Sequence, residues 1–425
     1  MNQDRTLWRD TARERVPARP FDGGATVDLA VIGGGFTGCA AALEAARRGA
    51  SVALLEAGRV GDGGSGRNVG LVNAGLWLPP DTVLAAAGPE AGARLLDALA
   101  QGPATVFDLI AREGIDCEAT RAGTLHLAHA PSGLRDLRER LRQGNRHGAP
   151  LQLLDAAEIA RRTGGTGFHG ALFDPRAGTV QPLAYARGLA RAAAAAGARI
   201  HEATPVENIR HDGDVWTIEA AGHSLRAAAV LLATNAYHRG AHGLPAPQFV
   251  PVGFSQFATA PLPEALRALV LPGGEGCWDT AAVMSSFRTD CAGRLILGGI
   301  GDVAGPASPV HAGWARRKLR AVYPDLADLP FEHAWSGRIA MTGDHLPKVV
   351  APAPRALAIH GYSGRGIAPG TVFGTAAART LLSGDPAHLP LPVTDAHAER
   401  LAGLRRAGIE AGAVAMHLIQ PRPFA

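Results

Sequence analysis

The sequence predicts an α/β fold in which a doubly wound domain with a parallel sheet is interleaved with an α+β domain that has a mixed or antiparallel sheet. Two observations lead to this prediction. Apolar strands that run into glycine turns and helices occur in separated blocks, and segments of alternating polarity, typical of antiparallel strands, lie between them. With 425 residues, 47% of them hydrophobic, the chain is also long enough to form more than one domain.

The first block combines a strand, a glycine turn and a helix. Residues 27–32 are an apolar strand, Gly33, Gly35 and Gly38 form a G-x-G-x-x-G pattern, and residues 40–48 continue as an Ala-rich helix. The first glycine permits a tight turn, the second lets the backbone approach a pyrophosphate, and the third lets the helix pack closely on the strand. This order predicts a Rossmann-type dinucleotide site at the helix N-terminus.

A second strand over residues 51–55 ends at Glu56, which follows the glycines at about the 20-residue distance expected for an acid that binds the ribose. A carboxylate at this place accepts hydrogen bonds from both ribose hydroxyls and disfavours a 2′-phosphate, and hence NADP. The motif alone leaves FAD and NAD as alternatives.

The remaining elements follow from periodicity and turn signals. Helices are expected over residues 80–114, 132–146, 184–196 and 314–322, and from about residue 370 through 382. Strands are expected over residues 123–128, 199–202, 205–209, 228–235, 250–259, 281–287, 294–299 and 356–360, with a hairpin formed by 215–220 and 224–227.

These elements divide the chain into an N-terminal arm, two interleaved domains and a tail. Residues 1–25 are the arm, which Leu7 and Trp8 anchor onto the body. The dinucleotide-binding domain is predicted to comprise residues 26–80, 173–244 and 336–385, and the substrate domain residues 81–172 and 245–335. Residues 386–425 are expected to be a helical tail.

Composition excludes several classes of function. The formal net charge is only +4, from 42 basic and 38 acidic residues, so we expect no nucleic-acid partner. No apolar stretch has the roughly 20 residues that span a bilayer. The N-terminus has no signal-peptide core. Four cysteines without metal-type spacing suggest a cytoplasmic protein without a metal. The oligomeric state stays open.

Two further segments resemble known functional motifs but do not fully match them. Residues 299–304 read G-x-G-x-x-A after a strand, but Pro306 and Pro309 follow, so we expect no helix there and no second nucleotide site. Residues 361–365 resemble a nucleophile elbow, but the fifth residue is Arg365 instead of glycine.

Four pieces of the chain together resemble a known family. They are residues 7–12, the fingerprint 33–38 with Glu56, the Ser-Gly-Arg-Asn element at 65–68, and residues 335–347 with 361–366. The chain resembles the D-amino-acid-oxidase/glycine-oxidase superfamily of FAD-dependent oxidoreductases, and most closely its gamma-glutamylputrescine oxidase-like branch.

The resemblance implies an FAD-binding domain, non-covalent FAD, and a substrate domain over the flavin. The ADP half of FAD would lie at the fingerprint, the pyrophosphate and flavin at the loop 65–68, and the flavin ring along 363–366, where Arg365 and the helix N-terminus near Pro369 would stabilise the reduced, anionic flavin. The cofactor-binding residues that it implies are Gly33, Gly35, Phe36, Thr37, Gly38, Glu56, Ala57, Ser65, Gly66, Arg67, Asn68, Val206, Ala233, Thr234, Ser363, Gly364, Arg365 and Gly366.

The sequence departs from the family at several positions. The branch has a glycine and often a glutamine where this chain has Val69 and Leu71. Ile339, next to Arg338, stands where glycine oxidases have the arginine that binds a substrate carboxylate. Gly337 replaces the cysteine that attaches flavin in sarcosine oxidases, and Ile296 replaces their oxygen-activating lysine.

The resemblance implies oxidation of the C–N bond of a primary or secondary amine, possibly gamma-glutamylputrescine-like. Hydride transfer to flavin N5 would give an imine and then an aldehyde, with O2 as acceptor and H2O2 as product. Candidate catalytic residues are Tyr362, His345, Arg288 and Trp278. The alternatives are an amino-acid or opine dehydrogenase with a quinone or protein acceptor, a non-catalytic flavin-binding protein, and an NAD-dependent dehydrogenase.

Overall fold

A computed structural model describes residues 6–419 of the chain. Its α-helices, in chain order, are α1 Leu7–Thr11, α2 Phe36–Arg47, α3 Pro80–Ala87, α4 Pro89–Ala100, α5 Gly102–Glu113, α6 Pro131–Arg146, α7 Ala156–Thr163, α8 Pro182–Ala195, α9 Glu264–Arg267, α10 Ser308–Val322, α11 Ile367–Ser383 and α12 Ala402–Ile419. None of these helices is both long and apolar enough to cross a membrane.

The β-strands, in chain order, are β1 Thr26–Ile32, β2 Val52–Leu55, β3 Leu71–Val72, β4 Thr124–Leu127, β5 Gln152–Leu154, β6 Ala171–Asp174, β7 Gly178–Thr179, β8 Arg199–His201, β9 Val206–Asp212, β10 Val215–Ala220, β11 His223–Leu232, β12 Val250–Pro261, β13 Gly276–Asp279, β14 Ser285–Thr289, β15 Arg294–Ile300, β16 Phe331–Met341, β17 Lys348–Val350 and β18 Ala356–His360.

The first large sheet has the strand order of a doubly wound domain. Its core runs β8–β2–β1–β11–β18, all parallel, and β17 is added antiparallel at the β18 edge. The chain moves outward from β1 to one side and then, with β11, to the other. The carboxyl ends of β1 and β11 therefore meet at the topological switch point, where such sheets bind ligands.

The two faces of this sheet are covered differently. Alternate side chains such as Leu29, Val31 and Leu231 pack against α2, α8 and α11. The opposite face packs instead against β9 and β10, which extend antiparallel from the start of β11, through residues such as Trp216 and Ile218. The sheet is thus buried on both sides, which explains why its strands read as continuous apolar runs.

The second large sheet confirms the predicted mixed sheet. Its order is β16–β12–β15–β14–β13–β4–β6–β5, with every neighbouring pair antiparallel except β13 and β4. Helix α10 packs against this sheet with a core that includes Trp314, Phe257 and Phe287. A two-stranded sheet, β3–β7, lies separately from both.

The two sheets divide the chain at slightly different places from those predicted. The predicted boundaries at 172/173 and 335/336 fall inside β6 and β16, and both strands belong to the second sheet. Helices α4 and α5, assigned to the substrate domain, pack on α11 and share the core of the first sheet. Amphipathic periodicity shows that a helix has a buried face but not which sheet covers it.

Several local predictions need correction. The two segments predicted at 224–227 and 228–235 are one strand, β11, which pairs antiparallel with β10 at its start and parallel with β1 along its length. The strand predicted at 281–287 begins only at Ser285. The helix predicted at 314–322 begins at Ser308, and Pro309 lies in its first turn, where the missing N–H costs nothing. The expectation that no helix forms there was therefore wrong.

Both ends of the described chain lie against the body. Leu7 and Trp8 are completely buried, which confirms the anchoring of the N-terminal arm, of which residues 1–5 lie outside the described part. The tail is helical only from 402 to 419, apart from a short 3-10 turn at Pro386–His388. Its last residues, 420–425, also lie outside the described part.

A buried ion pair ties α10 to the second sheet. Lys318 Nζ donates to Asp279 Oδ2 at 2.7 Å, and Asp279 also accepts from the backbone N–H and the hydroxyl of Ser285. Burial tends to raise the pKa of Asp279, but Lys318 and the hydrogen bonds from Ser285 outweigh it and lower the pKa below its usual value. The carboxylate therefore fixes the start of β14 and depends on one lysine for its charge.

We expect Lys318→Met to lower the free energy of unfolding at pH 7 by about 3–5 kcal/mol, because it leaves a buried charge uncompensated. Since the pKa of folded Asp279 is lowered, its stabilisation is present above the unfolded-state pKa of about 3.9 and is lost as the pH falls below it. The deficit should therefore be largest near pH 7 and narrow as the pH falls through the pKa of Asp279 in the variant, which burial raises once Lys318 is removed, as measured by urea unfolding.

The only other lysine of the chain is a matched control. Lys348 pairs with Asp344, whose side chain is 39% exposed, so Lys348→Met should cost no more than about 1 kcal/mol. Equal losses in the two variants would contradict the role given to the buried pair.

Candidate active site

A cavity of about 950 Å³ lies where the switch point of the first sheet faces the second sheet. This is near the upper end of the range, about 300–1,000 Å³, of small-molecule sites. The predicted site residues that line it are Gly33, Gly35, Phe36, Thr37, Glu56, Ala57, Ser65, Arg67, Asn68, Val206, Ala233, Thr234, Trp278, His345, Tyr362, Ser363, Gly364, Arg365 and Gly366.

Three predicted site residues do not line the cavity. Gly38 and Gly66 are packing positions: a Cβ at Gly38 would lie 1.9 Å from the Gly33 carbonyl oxygen, and one at Gly66 would lie 2.3 Å from that of Gly61. Arg288, predicted to face the flavin, is buried in the core, where it donates to the Val180 carbonyl at 2.8 Å. The expectation that Arg288 lines the site was therefore wrong.

The glycine turn follows β1 and packs against the end of β11 at the switch point. Gly33 has φ +107°, and a Cβ there would lie 2.9 Å from the carbonyl oxygen of Ala233, which follows β11. Gly35 precedes α2 as its N-cap, and its own Cβ position is 2.9 Å from Ser65 Oγ. Only glycine gives the backbone both the conformation and the space that this approach needs.

Glu56 is fixed by the turn that it faces. Its Oε2 accepts from the Gly34 N–H at 2.7 Å and its Oε1 from the Gly58 N–H at 2.8 Å. Burial raises the pKa of Glu56, although these two hydrogen bonds favour the charged form. Each oxygen keeps a second acceptor position, so the carboxylate can still accept from a ribose hydroxyl.

The loop at residues 61–70 closes over the start of α2. Ser65 Oγ accepts from the Phe36 N–H at 3.0 Å, which places a hydroxyl at the positive end of that helix. Arg67 donates to the carbonyls of Asp62 and Ser336, so its guanidinium ties the loop to β16. Asn68 binds backbone groups of its own loop.

Two indoles hold this loop from outside. Trp8 Nε1 donates to the Asn68 carbonyl and Trp335 Nε1 to the Arg67 carbonyl, both at 2.8 Å. The two rings meet edge to face, 5.9 Å apart between centroids. Arg67 and Asn68 therefore shape the cavity wall as much as they offer groups to a ligand.

A second helix N-terminus opens into the cavity from the C-terminal segment. Helix α11 begins after Gly366 without a side-chain cap, and its first residues line the cavity. The Tyr362 hydroxyl shares a 2.7 Å hydrogen bond with Thr37 Oγ1 and is buried, which raises its pKa. Tyr362 therefore locks α11 to α2, and its hydroxyl already has a partner.

The opposite wall comes from the second sheet. Trp278 on β13 stacks on His126 of β4, with ring centroids 4.9 Å apart, and the Arg365 guanidinium lies 4.8 Å from the Trp278 ring centroid. Burial and then nearby Arg140 and Arg365 lower the pKa of His126 well below its usual value, so this ring is neutral at pH 7.

His345 lies at another part of the wall, against Trp77, with ring centroids 4.7 Å apart. It has φ +59°, an uncommon conformation for a non-glycine residue. Its Nδ1 is buried without a hydrogen-bond partner, and burial lowers its pKa. A neutral imidazole therefore forms part of the cavity wall, while its Nδ1 is buried behind the wall surface.

His126, Trp77 and Arg140 belong to this wall but were not among the predicted site residues. His126 lies in a strand that was predicted, and an ionisable side chain inside an apolar strand was a usable signal. Trp77 and Arg140 gave none, because one lies in a loop and the other on a helix that reads as solvent-exposed. Arg140 Nη1 in fact donates to the Trp77 carbonyl.

Of the positions that depart from the family, some line the cavity and one is buried in the core. Val69, Leu71, Arg338 and Ile339 line the cavity. Ile296 is completely buried among Trp8 and Trp335 and lies opposite Arg288 in the β14–β15 pair. Ile339 presents an apolar side chain to the cavity, whereas the guanidinium of Arg338 lies over the Tyr237 ring, 4.8 Å from its centroid.

The cavity fits FAD. The Gly33–Gly35 turn and two helix N-termini suit a pyrophosphate, and Glu56 suits the ribose. The cavity then continues to the second sheet, giving a long, mostly apolar space for the ring system and a substrate. Within residues 6–419, no group of three or more His, Cys, Asp or Glu side chains is placed to hold a metal ion.

Comparisons with known proteins agree with this geometry. The DAO family of FAD dependent oxidoreductases matches residues 28–380. A probable oxidoreductase OrdL of Rhizobium meliloti strain 1021 is 34% identical over 361 residues, covering 83% of each chain. Gamma-glutamylputrescine oxidoreductase of Escherichia coli K12 is 30% identical over 384 residues, covering 89% of each chain.

Solved structures show the same fold. Glycine oxidase from Geobacillus kaustophilus superposes with a TM-score of 0.70 at 24% identity, over 85% of this chain and 95% of that one. L-proline dehydrogenase from P. horikoshii gives a TM-score of 0.69 at 18% identity, over 86% and 97%. The extent of the family match shows that this chain belongs to the DAO family of FAD-dependent oxidoreductases.

Proposed function

We propose that this enzyme oxidises the C–N bond of a primary or secondary amine of the gamma-glutamylputrescine type, with O2 as electron acceptor. The observation that carries the proposal is that Ile339 lines the cavity, at the position to which the family resemblance assigns a carboxylate-binding arginine. A simple α-amino acid would lose its strongest bidentate contact there. The 30% identity to gamma-glutamylputrescine oxidoreductase supports the same class.

Bound FAD would supply the two-electron acceptor for oxidation of the carbon next to the amine nitrogen, with O2 as the final oxidant that is reduced to H2O2. The resulting imine reacts with water to give an aldehyde and an amine or ammonia. The protein's part is to bind the ADP half through Glu56 and the glycine turn, and to hold the amine in a space from which the apolar residues Val69, Leu71 and Ile339 exclude water.

The amine must lose its ammonium proton before its carbon can give up a hydride. His345 is suited to take this proton, because its ring lines the cavity and its lowered pKa keeps the ring neutral at pH 7. Tyr362 is less suited, since its hydroxyl is bound to Thr37 and its pKa is raised. Trp278 contributes an aromatic surface only.

Non-covalent binding of FAD is part of the proposal. None of the four cysteines lines the cavity: Cys39, Cys117 and Cys277 are buried elsewhere, and Cys291 is exposed. The four free thiols are also consistent with the predicted cytoplasmic location.

A dehydrogenase with a quinone or protein acceptor is the second candidate. It is favoured by Ile296, which puts a buried aliphatic side chain where sarcosine oxidases have their oxygen-activating lysine. Family membership leaves no support for the NAD-dependent or non-catalytic alternatives.

Glu56→Gln should weaken FAD binding about 10- to 100-fold, because the amide nitrogen cannot accept from a backbone N–H or from a ribose hydroxyl. Reconstitution of the apoprotein, followed by the visible flavin band, measures the dissociation constant. Glu219→Gln, on the exposed hairpin, should leave it unchanged. An unaltered affinity in Glu56→Gln would remove Glu56 from the cofactor site.

Anaerobic mixing of the holoenzyme with an amine should bleach the visible flavin band. We expect gamma-glutamylputrescine to do so faster than glycine or D-amino acids. In those amino acids the carboxylate is attached to the reacting carbon, and Ile339 offers no partner to a carboxylate at that place. Readmitted air should restore the band and release H2O2. Restoration only by an added quinone would establish the dehydrogenase instead, and bleaching by glycine alone would overturn the substrate class.

A further inference from the structure

The geometry points to a carboxylate-binding site on the cavity wall, formed by Arg365 and Arg140 against Trp278. We propose that the substrate carries a carboxylate away from the reacting nitrogen and that these two guanidinium groups bind it. The inference rests on the proposed function, because it names the part of the amine substrate that gives selectivity.

The side chain of Arg365 extends out of the dinucleotide-binding domain, to which its backbone belongs. Its backbone belongs to the turn before α11, but its guanidinium stacks on Trp278 of β13 and donates from Nη1 to the Ala74 carbonyl at 3.1 Å. These contacts lie in the second sheet and in the segment that leads to α3. The side chain therefore extends from the dinucleotide half of the cavity toward the substrate half.

Arg140 reaches the same segment from helix α6. Its Nη1 donates to the Trp77 carbonyl, three residues after the carbonyl that Arg365 binds. Three residues of chain span at most about 11 Å, so the two guanidinium groups are held on one stretch of wall. Their mutual repulsion agrees with this: burial and then Arg140 lower the pKa of Arg365 to about 9, which still leaves it charged at pH 7.

The wall has more positive charge than its own acids balance. Asp136 is bound by Arg140 Nε at 2.8 Å, and Asp174, the acid that acts on Arg365, is bound by Arg176. Among residues 6–419, no carboxylate forms an ion pair with Arg365 itself. A partly buried cation without a counter-ion is costly, and an anion in the cavity would offset that cost.

Arg365 also keeps the donors that an anion needs. A guanidinium has five N–H groups at its edge, of which the Ala74 carbonyl takes one. Because Arg365 lines the cavity, the other N–H groups belong to a side chain that a ligand in the cavity can contact. Arginine in this arrangement is suited to a planar carboxylate, whereas it repels the second ammonium group of a diamine.

The test uses the FAD-loaded enzyme and needs no turnover. Butyrate and the uncharged, similarly shaped butyramide are titrated separately, and the shift of the visible flavin band gives each dissociation constant. We expect butyrate to bind more tightly than butyramide. Arg365→Gln should weaken butyrate about 10- to 100-fold, the range for a lost charge-assisted hydrogen bond, and leave butyramide within twofold.

Three variants complete the design. Arg365→Lys should recover part of the butyrate affinity, because it restores charge but not the fork. Arg140→Gln should weaken butyrate and not butyramide. Arg94→Gln, which removes an exposed arginine paired only with Glu90 on α4, should change neither. The ratio of flavin to protein absorbance confirms that each variant is folded and loaded.

Equal binding of butyrate and butyramide by the wild type would overturn the proposal, as would an Arg365→Gln variant that changes the flavin spectrum but not butyrate affinity. The latter result would mean that Arg365 serves the cofactor alone. No amine is oxidised in this experiment, so its result does not depend on the proposed function. The wall can bind butyrate even if no amine bleaches the flavin.

Discussion

The hydrogen bonds from two indoles to neighbouring carbonyls are the constraint on which the site depends. Trp8 comes from the N-terminal arm and Trp335 from β16, yet they donate to Asn68 and Arg67 of one loop. Both indoles are buried, so neither N–H can turn to water, and each bond is costly to break. The arm, the dinucleotide domain and the second sheet therefore meet at this loop. Its Ser65 then reaches the start of α2, so that packing far from the cavity sets the position of a group inside it.

The parts of the site that the sequence predicted are those made by local backbone. The Gly33–Gly38 turn needs only a strand, three glycines and a helix, all adjacent in the chain, and it lies where the pattern placed it. Arg288 was misplaced for the opposite reason. Its orientation depends on the β14–β15 register, which pairs it with Ile296, and a one-residue change of register would turn the side chain to the other face. Pro309 was misread because its effect depends on its place in the helix, being disruptive inside and harmless in the first turn.

The same distinction separates the two halves of the cavity. The centre of the dinucleotide half is formed by the Gly33–Gly35 turn, the start of α2 and Glu56, which belong to one strand–helix–strand unit, so a short pattern describes it. The substrate half is formed by side chains from β4, β13 and α6 and from the loop around Trp77, which are distant in the chain. No short pattern could report that His126, Trp278 and Arg365 would stack together. The first half therefore identifies the cofactor class, and only the folded structure gives physical evidence about the substrate.

Comparison of the buried Arg288 with the partly buried Arg365 shows why access to the cavity matters. Arg288 lies 5.2 Å from the Trp8 ring centroid and donates to one backbone carbonyl, much as Arg365 does with Trp278 and Ala74. Burial lowers the pKa of both. Arg288, however, is sealed behind Gly70, where no ligand can reach it, so its charge serves only to hold the core together. Arg365 has the same contacts but opens onto the cavity. The difference between them is therefore whether an anion from solution can bind the guanidinium group. Arg365 can serve in substrate recognition for this reason, whereas Arg288 has a structural role.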